Sequence, residues 1–378
     1  MFLKIFHTAD LHIGMKFSNY PEYIRNELVQ SRFDILERMI LTANQEQCNI
    51  FLIAGDLFDK INIPQKDIIR VIKILNKFAG DCVLVMPGNH DYDNGMVELW
   101  ERFSNNISNN ILLLNQYQSY DLRDFDLDAK VYPAYCDSKH SDTNRLTWIK
   151  EIKETKEIKE NNEVRWQIGI AHGALEGISA DLSNQYFNIS ENELLQIDMD
   201  LWLLGHTHIS YPLKDEISNR KVFNAGTPEP DGLDCKHQGT AWIIEIDQNK
   251  NITARTVYTG KYRFYDLNLQ LESQVDLLKI KETLLKKDPE KKIVRLSLQG
   301  TVEEWLFQEK EDFYQELRKE LAYLEIDDSQ LKIKITEDLI DQEFMENSFP
   351  HLVLKNLAAS KEEDALQLAY EMIKEVKG

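Results

Sequence analysis

The chain has 378 residues, of which 43% are hydrophobic and 10% aromatic, and a formal net charge of -20. That composition supports a folded core domain of about 250 residues with a smaller appendage, and it excludes disorder as the main state. The acidity counts against a simple nucleic-acid-binding module, which normally shows basic patches, although net charge does not locate the charges and bound divalent cations bring positive charge of their own.

The first apolar run, LKIFHTA, reads as a buried strand, with Asp10 and His12 on the loop leaving its C-terminal end. A helix is expected from Glu22 to Gln45, with apolar residues at Ile24, Leu28, Phe33, Leu36 and Ile40. NIFLIAGD is a continuous apolar stretch ending in Gly-Asp, as in a parallel strand covered on both faces. A helix near Gln65 to Phe78 follows, then another strand in DCVLVMPGNHD. This alternation indicates an α/β sheet, where ligands gather beyond the C-terminal strand ends. NILLLNQY and KVYPAY continue the sheet, and the charged stretch from Asn144 to Glu163 reads as a solvated helix or a projecting excursion. RWQIGIAHG, MDLWLLGHTH, RKVFNAGTPEP and GTAWIIEID supply further strands.

A second unit is expected to begin between Lys261 and Asp266. Within it, KKIVRLSLQG reads as a strand, TVEEWLFQEKEDFYQELRKELAYL as a helix and LKIKIT as a strand, a β-α-β pattern. The stretch from Glu337 to Gly378 reads as largely helical. The expected division is therefore 1–262, 263–336 and 337–378. Cys48, Cys82, Cys136 and Cys235 include no CxxC pair, which argues against a zinc knot or disulfide framework. The opening MFLKIFHTADLH lacks the apolar core of a secretion signal, and no apolar run reaches membrane-spanning length. A cytoplasmic protein without a membrane partner is expected.

The chemistry concentrates in DLH, GDLFD, GNHD, AHG and GHTH, each closing an apolar strand. A lone DxH is more often a surface turn, and a lone strand-end histidine is more often a satisfied core residue. Together, five such ends define one pocket. Two divalent ions a few ångströms apart can hold the attacking and leaving oxygens of a phosphoester. A carboxylate between them offsets their repulsion. Neutral imidazoles and an amide oxygen complete the shells without adding negative charge against an anionic substrate. Such a mixed N/O site suits manganese, iron, cobalt or zinc better than calcium. The glycines in GD, GN and GH permit close backbone approach.

The order DxH, GDxxD, GNHD, H, GHTH resembles the calcineurin-like metallophosphoesterases, and HTADLHIG with GDLFD is most similar to the SbcD-type DNA repair exonucleases, the meiotic recombination 11 / SbcD nucleases. The resemblance covers roughly residues 1 to 260. It implies an α/β fold: a sandwich of two central mixed sheets flanked by helices, with a small α+β capping domain. It also implies that Asp10, His12, Asp56 and His208 hold one metal, and Asp56, Asn89, His172 and His206 the other. His90 would protonate or steady the leaving oxygen, Asp91 would orient His90 or a neighbouring loop, and a water activated by the ions would attack phosphorus. The implied activity is that of a manganese-dependent DNA exonuclease, with endonuclease action left open, on ends or single strands; iron, cobalt, zinc or magnesium are the alternative ions. The implied partner is an SbcC-like (SMC-like) coiled-coil ATPase, with the 337–378 helices as a docking element. A homodimer is also implied, through surfaces at Gln65 to Phe78 and Met96 to Phe103, whose apolar positions could equally be core.

Where some relatives carry a histidine closing GDxxH, this chain has Asp59, for which loop bracing is expected. GTPEPDGLD is expected to be a structural turn without a catalytic role. Five of the nine histidines fall in the pocket; His7 is expected in the strand, where it could serve as a supporting donor, and His140, His237 and His351 have no evident partners. The tryptophans fit packing better than base stacking, and the lysines of KKDPEKK read as a solvated loop. A phosphodiesterase or phosphatase on a nucleotide or other small phosphoester is the competing function. The protein phosphatase branch is disfavoured, because GDLFDKI and GNHDY lack its GDxxDRG and GNHE. A non-enzymatic scaffold has no chemical reason to keep His90 beside Asn89.

Overall fold

The computed structural model describes residues 2–141, 143–154, 164–178, 186–360 and 362–377. In chain order the first unit contains β1 (Phe2–Thr8), α1 (Glu22–Gln45), β2 (Ile50–Ala54), α2 (Gln65–Leu75), β3 (Cys82–Met86), α3 (Glu98–Ser104), β4 (Ile111–Leu113), β5 (Tyr120–Asp121), β6 (Ala129–Ala134), α4 (Thr147–Glu154), β7 (Trp166–His172), β8 (Ala174–Leu175), β9 (Asn188–Ile189), α5 (Glu191–Gln196), β10 (Leu201–Gly205), β11 (Glu216–Ser218), β12 (Val222–Asn224), β13 (Thr240–Asp247) and β14 (Ile252–Tyr258). The second contains β15 (Arg263–Gln270), α6 (Gln274–Leu285), β16 (Lys292–Val302), α7 (Glu304–Glu320), β17 (Tyr323–Ile333), α8 (Glu337–Glu343), α9 (Phe349–Ser360) and α10 (Glu363–Lys377). The compact units divide between Arg263 and Phe264.

Two mixed sheets form the first unit, one ordered β11-β14-β13-β1-β2-β3-β4 and the other β12-β10-β7-β6-β5. β1 to β4 run parallel, as do β6, β7, β10 and β12. Period-two alternation sends successive side chains of β1 to opposite faces. Leu3 and Ile5 join Ile168, Ile170, Leu201 and Leu203 in the core between the sheets, whereas Phe6 joins the helix-covered face. That outer face packs Phe33, Leu36 and Ile40 of α1 with Ile68, Val71 and Leu75 of α2. The second sheet's outer face is covered by Ile149 of α4 and Leu194 of α5. β2 and β3 are buried along their whole length, as their unbroken apolar sequences require.

Of the two surfaces named for a dimer, Ile68, Val71, Ile72, Ile74 and Leu75 of α2 and Leu99, Trp100 and Phe103 of α3 lie in this chain's own core, the alternative already open for them, whereas Ile69 is half-buried and Met96 exposed. The charged stretch after Asn144 begins with a packed turn of helix, because Leu146 and Ile149 are buried; its remainder, 155–163, lies outside the described residues.

In the second unit β16 and β17 are parallel, and β15 completes a three-stranded sheet ordered β15-β16-β17. α7 ends at Glu320 and β17 starts at Tyr323, eight residues before the expected strand. The segment EIDDSQ is too polar to read as a strand by itself, and the ladder to β16 imposes that conformation. Lys292 is buried, and its ammonium donates to the carbonyls of Thr283, Leu284 and Lys286, closing the end of α6 rather than facing solvent. Trp305 is exposed, against the packing expected of it. Leu339, Ile340, Leu354, Leu366 and Tyr370 bind α8, α9 and α10 into one cluster.

Candidate metal centre

The loops after β1, β2, β3, β7 and β10 meet at the C-terminal ends of the parallel strands. Register makes this so: Thr8 pairs with Ile53, Ile53 with Val85, and His172 with Gly205. The first two loops are zipped together by Asp10 N to Gly55 O (3.1 Å), His12 N to Asp56 O (3.0 Å) and Asp59 N to Ile13 O (3.0 Å). Asp10, His12, Asp56 and His206 all have left-handed backbone, at φ 54°, 47°, 52° and 93°. Non-glycine residues rarely adopt it, and four together mark strain held by the surrounding fold. Gly55 and Gly88 leave no room for a side chain: a Cβ would lie 2.0 Å from His172 Nδ1 and 2.1 Å from Asp56 Oδ1, respectively.

The ligating atoms converge. Asp10, His12 and His208 form one group, Asp56, His172 and His206 a second, and His12, Asp56 and His90 a third, each within 4.8 Å. His172 Nδ1 donates to the Ala54 carbonyl (2.9 Å), which turns its Nε2 inward, 3.3 Å from Asp56 Oδ2 and 3.0 Å from Asn89 Oδ1. His206 Nδ1 lies 2.8 Å from the same Asn89 oxygen. His208 Nδ1 faces Asp231 Oδ2 at 3.3 Å, and its Nε2 meets His12 Nε2 at 3.2 Å. In His172 and His208 a carbonyl or carboxylate accepts from Nδ1, so Nδ1 carries the proton and the inward Nε2 presents a lone pair. Lone pairs facing carboxylate and amide oxygens repel unless a cation lies between them. The donor set therefore fits two divalent ions side by side, with Asp56 shared between the groups.

The electrostatics agree. Burial opposes charge on His172 and His208, but the neighbouring carboxylates outweigh it and push both up to about 9. Burial raises Asp10 to about 6, whereas Asp56 is held well below the usual carboxylate range by His172, His12 and His90 in spite of its burial. Burial and the charge on His172 bring His206 down to about 3. The pocket demands positive charge, which protons meet only in part.

His90 stands at the same centre. Its ring lies edge-on to His12 with centroids 4.6 Å apart, its Nδ1 donates to the Asp59 carbonyl (3.0 Å), and its backbone N–H donates to Asp56 Oδ1 (2.8 Å). Asp59 thus acts through its backbone. The Asp91 carboxylate makes its hydrogen bonds away from the His90 ring. It is buried, accepts from Gly88 N (2.7 Å) and Phe58 N (2.9 Å), and braces the GNHD loop against the GDLFD loop.

The GTPEPDGLD segment, expected as a structural turn, reaches the centre as a support for its residues. Thr227 Oγ1 donates to the Asp10 carbonyl (2.9 Å), and Asp231 orients His208. Only the fold brings Asp231 to His208; no spacing signal could have found it. His7 is fully buried and shares the parity of Leu3 and Ile5, so it faces the core between the sheets; burial takes it down to about 3, against the opposing effect of the Leu204 backbone. Three histidines gain neighbours: His237 Nε2 lies 2.8 Å from Cys235 Sγ, His351 Nε2 lies 2.8 Å from Asp341 Oδ1, and the His140 ring lies 5.3 Å from that of Tyr186. All four cysteines are buried and free.

This fold and this constellation define a metal-dependent phosphoesterase. The chain belongs to the calcineurin-like phosphoesterase family, whose model matches residues 3–210. It is 26% identical over 330 residues to the uncharacterized metallophosphoesterase YhaO of Bacillus subtilis, covering 81% of this chain and 74% of that protein. It is 25% identical over 272 residues to a subunit of the nuclease SbcCD from Staphylococcus saprophyticus, covering 68% of each. Over 90 residues it is 33% identical to the DNA double-strand break repair protein Mre11 of Aeropyrum pernix, covering 23% of this chain and 21% of that one. Among the described residues, no helix is long and apolar enough to cross a membrane.

Proposed function

We propose that the chain is a manganese-dependent DNA nuclease that hydrolyses phosphodiester bonds at ends or in single strands, as the nuclease subunit beside an SMC-like ATPase. The overlap of three ligand groups on Asp56 and His12 carries the two-metal part of this reading. Similarity to a nuclease subunit and to a strand-break repair protein supports the DNA part. Asp10, His12, Asp56 and His208 would hold one ion; Asp56, Asn89, His172 and His206 would hold the other. When bound, two such ions polarise the phosphate and lower the pKa of the attacking water.

The chain's own residues do the rest. The Asp59 carbonyl fixes the His90 tautomer with the proton on Nδ1, so Nε2 can carry a second proton to the leaving oxygen. The hydrogen bond from the His90 backbone to Asp56 ties that acid to the metal bridge. Asp91 holds the two loops in register, and Asp231 and the Ala54 carbonyl aim His208 and His172. The 263–336 region would position DNA, and the 337–378 helical segment would dock on the ATPase.

Metal-free protein reloaded with manganese tests this on linear single strands, linear duplex, a closed circle and a chromogenic phosphodiester, with His90→Ala as the control for contaminating nucleases. DNA cleavage lost in His90→Ala is expected. Hydrolysis of the small diester alone, still without DNA cleavage when the ATPase is added, would instead favour a small-substrate phosphodiesterase.

A further inference from the structure

A cavity of about 820 Å³ lies beside the metal centre and is walled by Tyr117, Tyr135, Trp148, Asp93, Asp137 and Arg145. Arg145 also lines a narrow recess with Asn89, His172 and His206. Ser141 and Arg145 line both, so the cavity adjoins the recess that holds the ligands of the second ion. The Arg145 guanidinium is 4% exposed; Nη2 donates to Asp137 Oδ1 (2.8 Å) and Ser138 Oγ (2.9 Å), while Nε is buried with no hydrogen-bond partner. An unpaired buried N–H is costly.

The other walls have a different chemistry. The Tyr117 and Tyr135 rings lie 4.6 Å apart, with Trp148 6.4 Å from Tyr117. These rings are not ordinary core: Tyr117 is 39% exposed, and Trp148 and Tyr135 are half-buried. Asp93 and Asp137 add carboxylates. Carboxylates repel a phosphate but accept hydrogen bonds from the amino groups of a base, and flat rings stack on any base.

We propose that this cavity is a nucleobase subsite. It holds the base of a nucleotide flanking the scissile bond against Tyr117 and Trp148, with Arg145 lining both this cavity and the recess beside Asn89, His172 and His206. The inference rests on the nuclease reading, and it makes the enzyme sense a base next to the bond it cuts. It also separates Trp148 from the other tryptophans of the first unit, which are packing residues.

The test uses the full chain loaded with manganese and single-stranded oligonucleotides in which one nucleotide at a time is replaced by an abasic analogue. Methyl p-nitrophenyl phosphate, which carries no base, is the reference substrate. An abasic unit at one position flanking the cut should lower kcat/KM by roughly tenfold to a hundredfold, the range for loss of one stacked base. Tyr117→Ala, at an exposed side chain, should lose a similar factor on the intact oligonucleotide, become indifferent to the abasic unit and keep native turnover of the reference diester. No positional abasic effect in the native protein, or an undiminished effect in Tyr117→Ala, overturns the subsite and leaves the nuclease reading standing. Turnover of the reference diester without cleavage of any oligonucleotide, even with the ATPase added, overturns the nuclease reading, and the subsite with it.

Discussion

Replacing Asp231 with asparagine separates the two metal positions. Asp231 Oδ2 lies 3.3 Å from His208 Nδ1, and His208 Nε2 lies 3.2 Å from His12 Nε2. The carboxylate fixes the His208 tautomer and makes Nε2 a stronger donor to an ion. Asparagine keeps the shape but is neutral, and its amide can turn either an oxygen or an NH2 toward Nδ1. Loss of such support typically weakens metal binding about 10- to 100-fold, which is about 1.4–2.7 kcal/mol. The loss should fall on the ion held by Asp10, His12 and His208, because His172 takes its orientation from the Ala54 carbonyl instead. Calorimetric titration of metal-free protein with manganese, on native and Asp231→Asn chains, should show one site weakened by that factor and the other within about twofold of native. Equal weakening of both sites, or no weakening of either, would refute the division of ligands between two ions. The metal-free variant should also melt lower at neutral pH, because the mostly buried Asp231 carboxylate supports the charge on His208.

Three further outcomes are expected. His90→Ala should lower kcat by roughly 10²- to 10⁴-fold, the usual contribution of a positioned acid, while manganese affinity measured by the same titration stays near native. Gly88→Ala puts a Cβ 2.1 Å from Asp56 Oδ1 and should displace the shared carboxylate, weakening both metal sites and lowering stability by about 1–3 kcal/mol; native metal affinity in this variant would show that Asp56 is not the bridge. His7 has its pKa lowered to about 3 by burial, so between about pH 6.5 and 3 the unfolded chain binds a proton that the folded chain refuses. Stability should therefore fall with pH across that window, by up to about 5 kcal/mol at 1.36 kcal/mol per unit, and His7→Leu should flatten the slope in denaturant titrations at pH 4 to 7.

The sequence by itself determined the elements that position the site. Unbroken apolar runs such as IFLIA and CVLVM can only be strands covered on both faces, and α1 runs from Glu22 to Gln45 as its apolar spacing requires. The polar motifs closing those runs placed Asp10, His12, Asp56, Asn89, His90, His172, His206 and His208 at strand ends, because a parallel sheet puts its chemistry there. What the sequence could not carry is contact between residues distant along the chain. Asp231 meets His208 across a turn, Asp91 bonds to Phe58 and Gly88 rather than His90, and Arg145 lines both an aromatic cavity and the recess beside His172. The polar strand β17 is likewise a strand because β16 lies beside it, not because its residues prefer that state. Local propensity and periodicity act over a few residues, so they decide elements and strand ends. Which side chain supports a ligand, and which wall faces the substrate, follows from the packing of the sheets, and only the tertiary structure decided it.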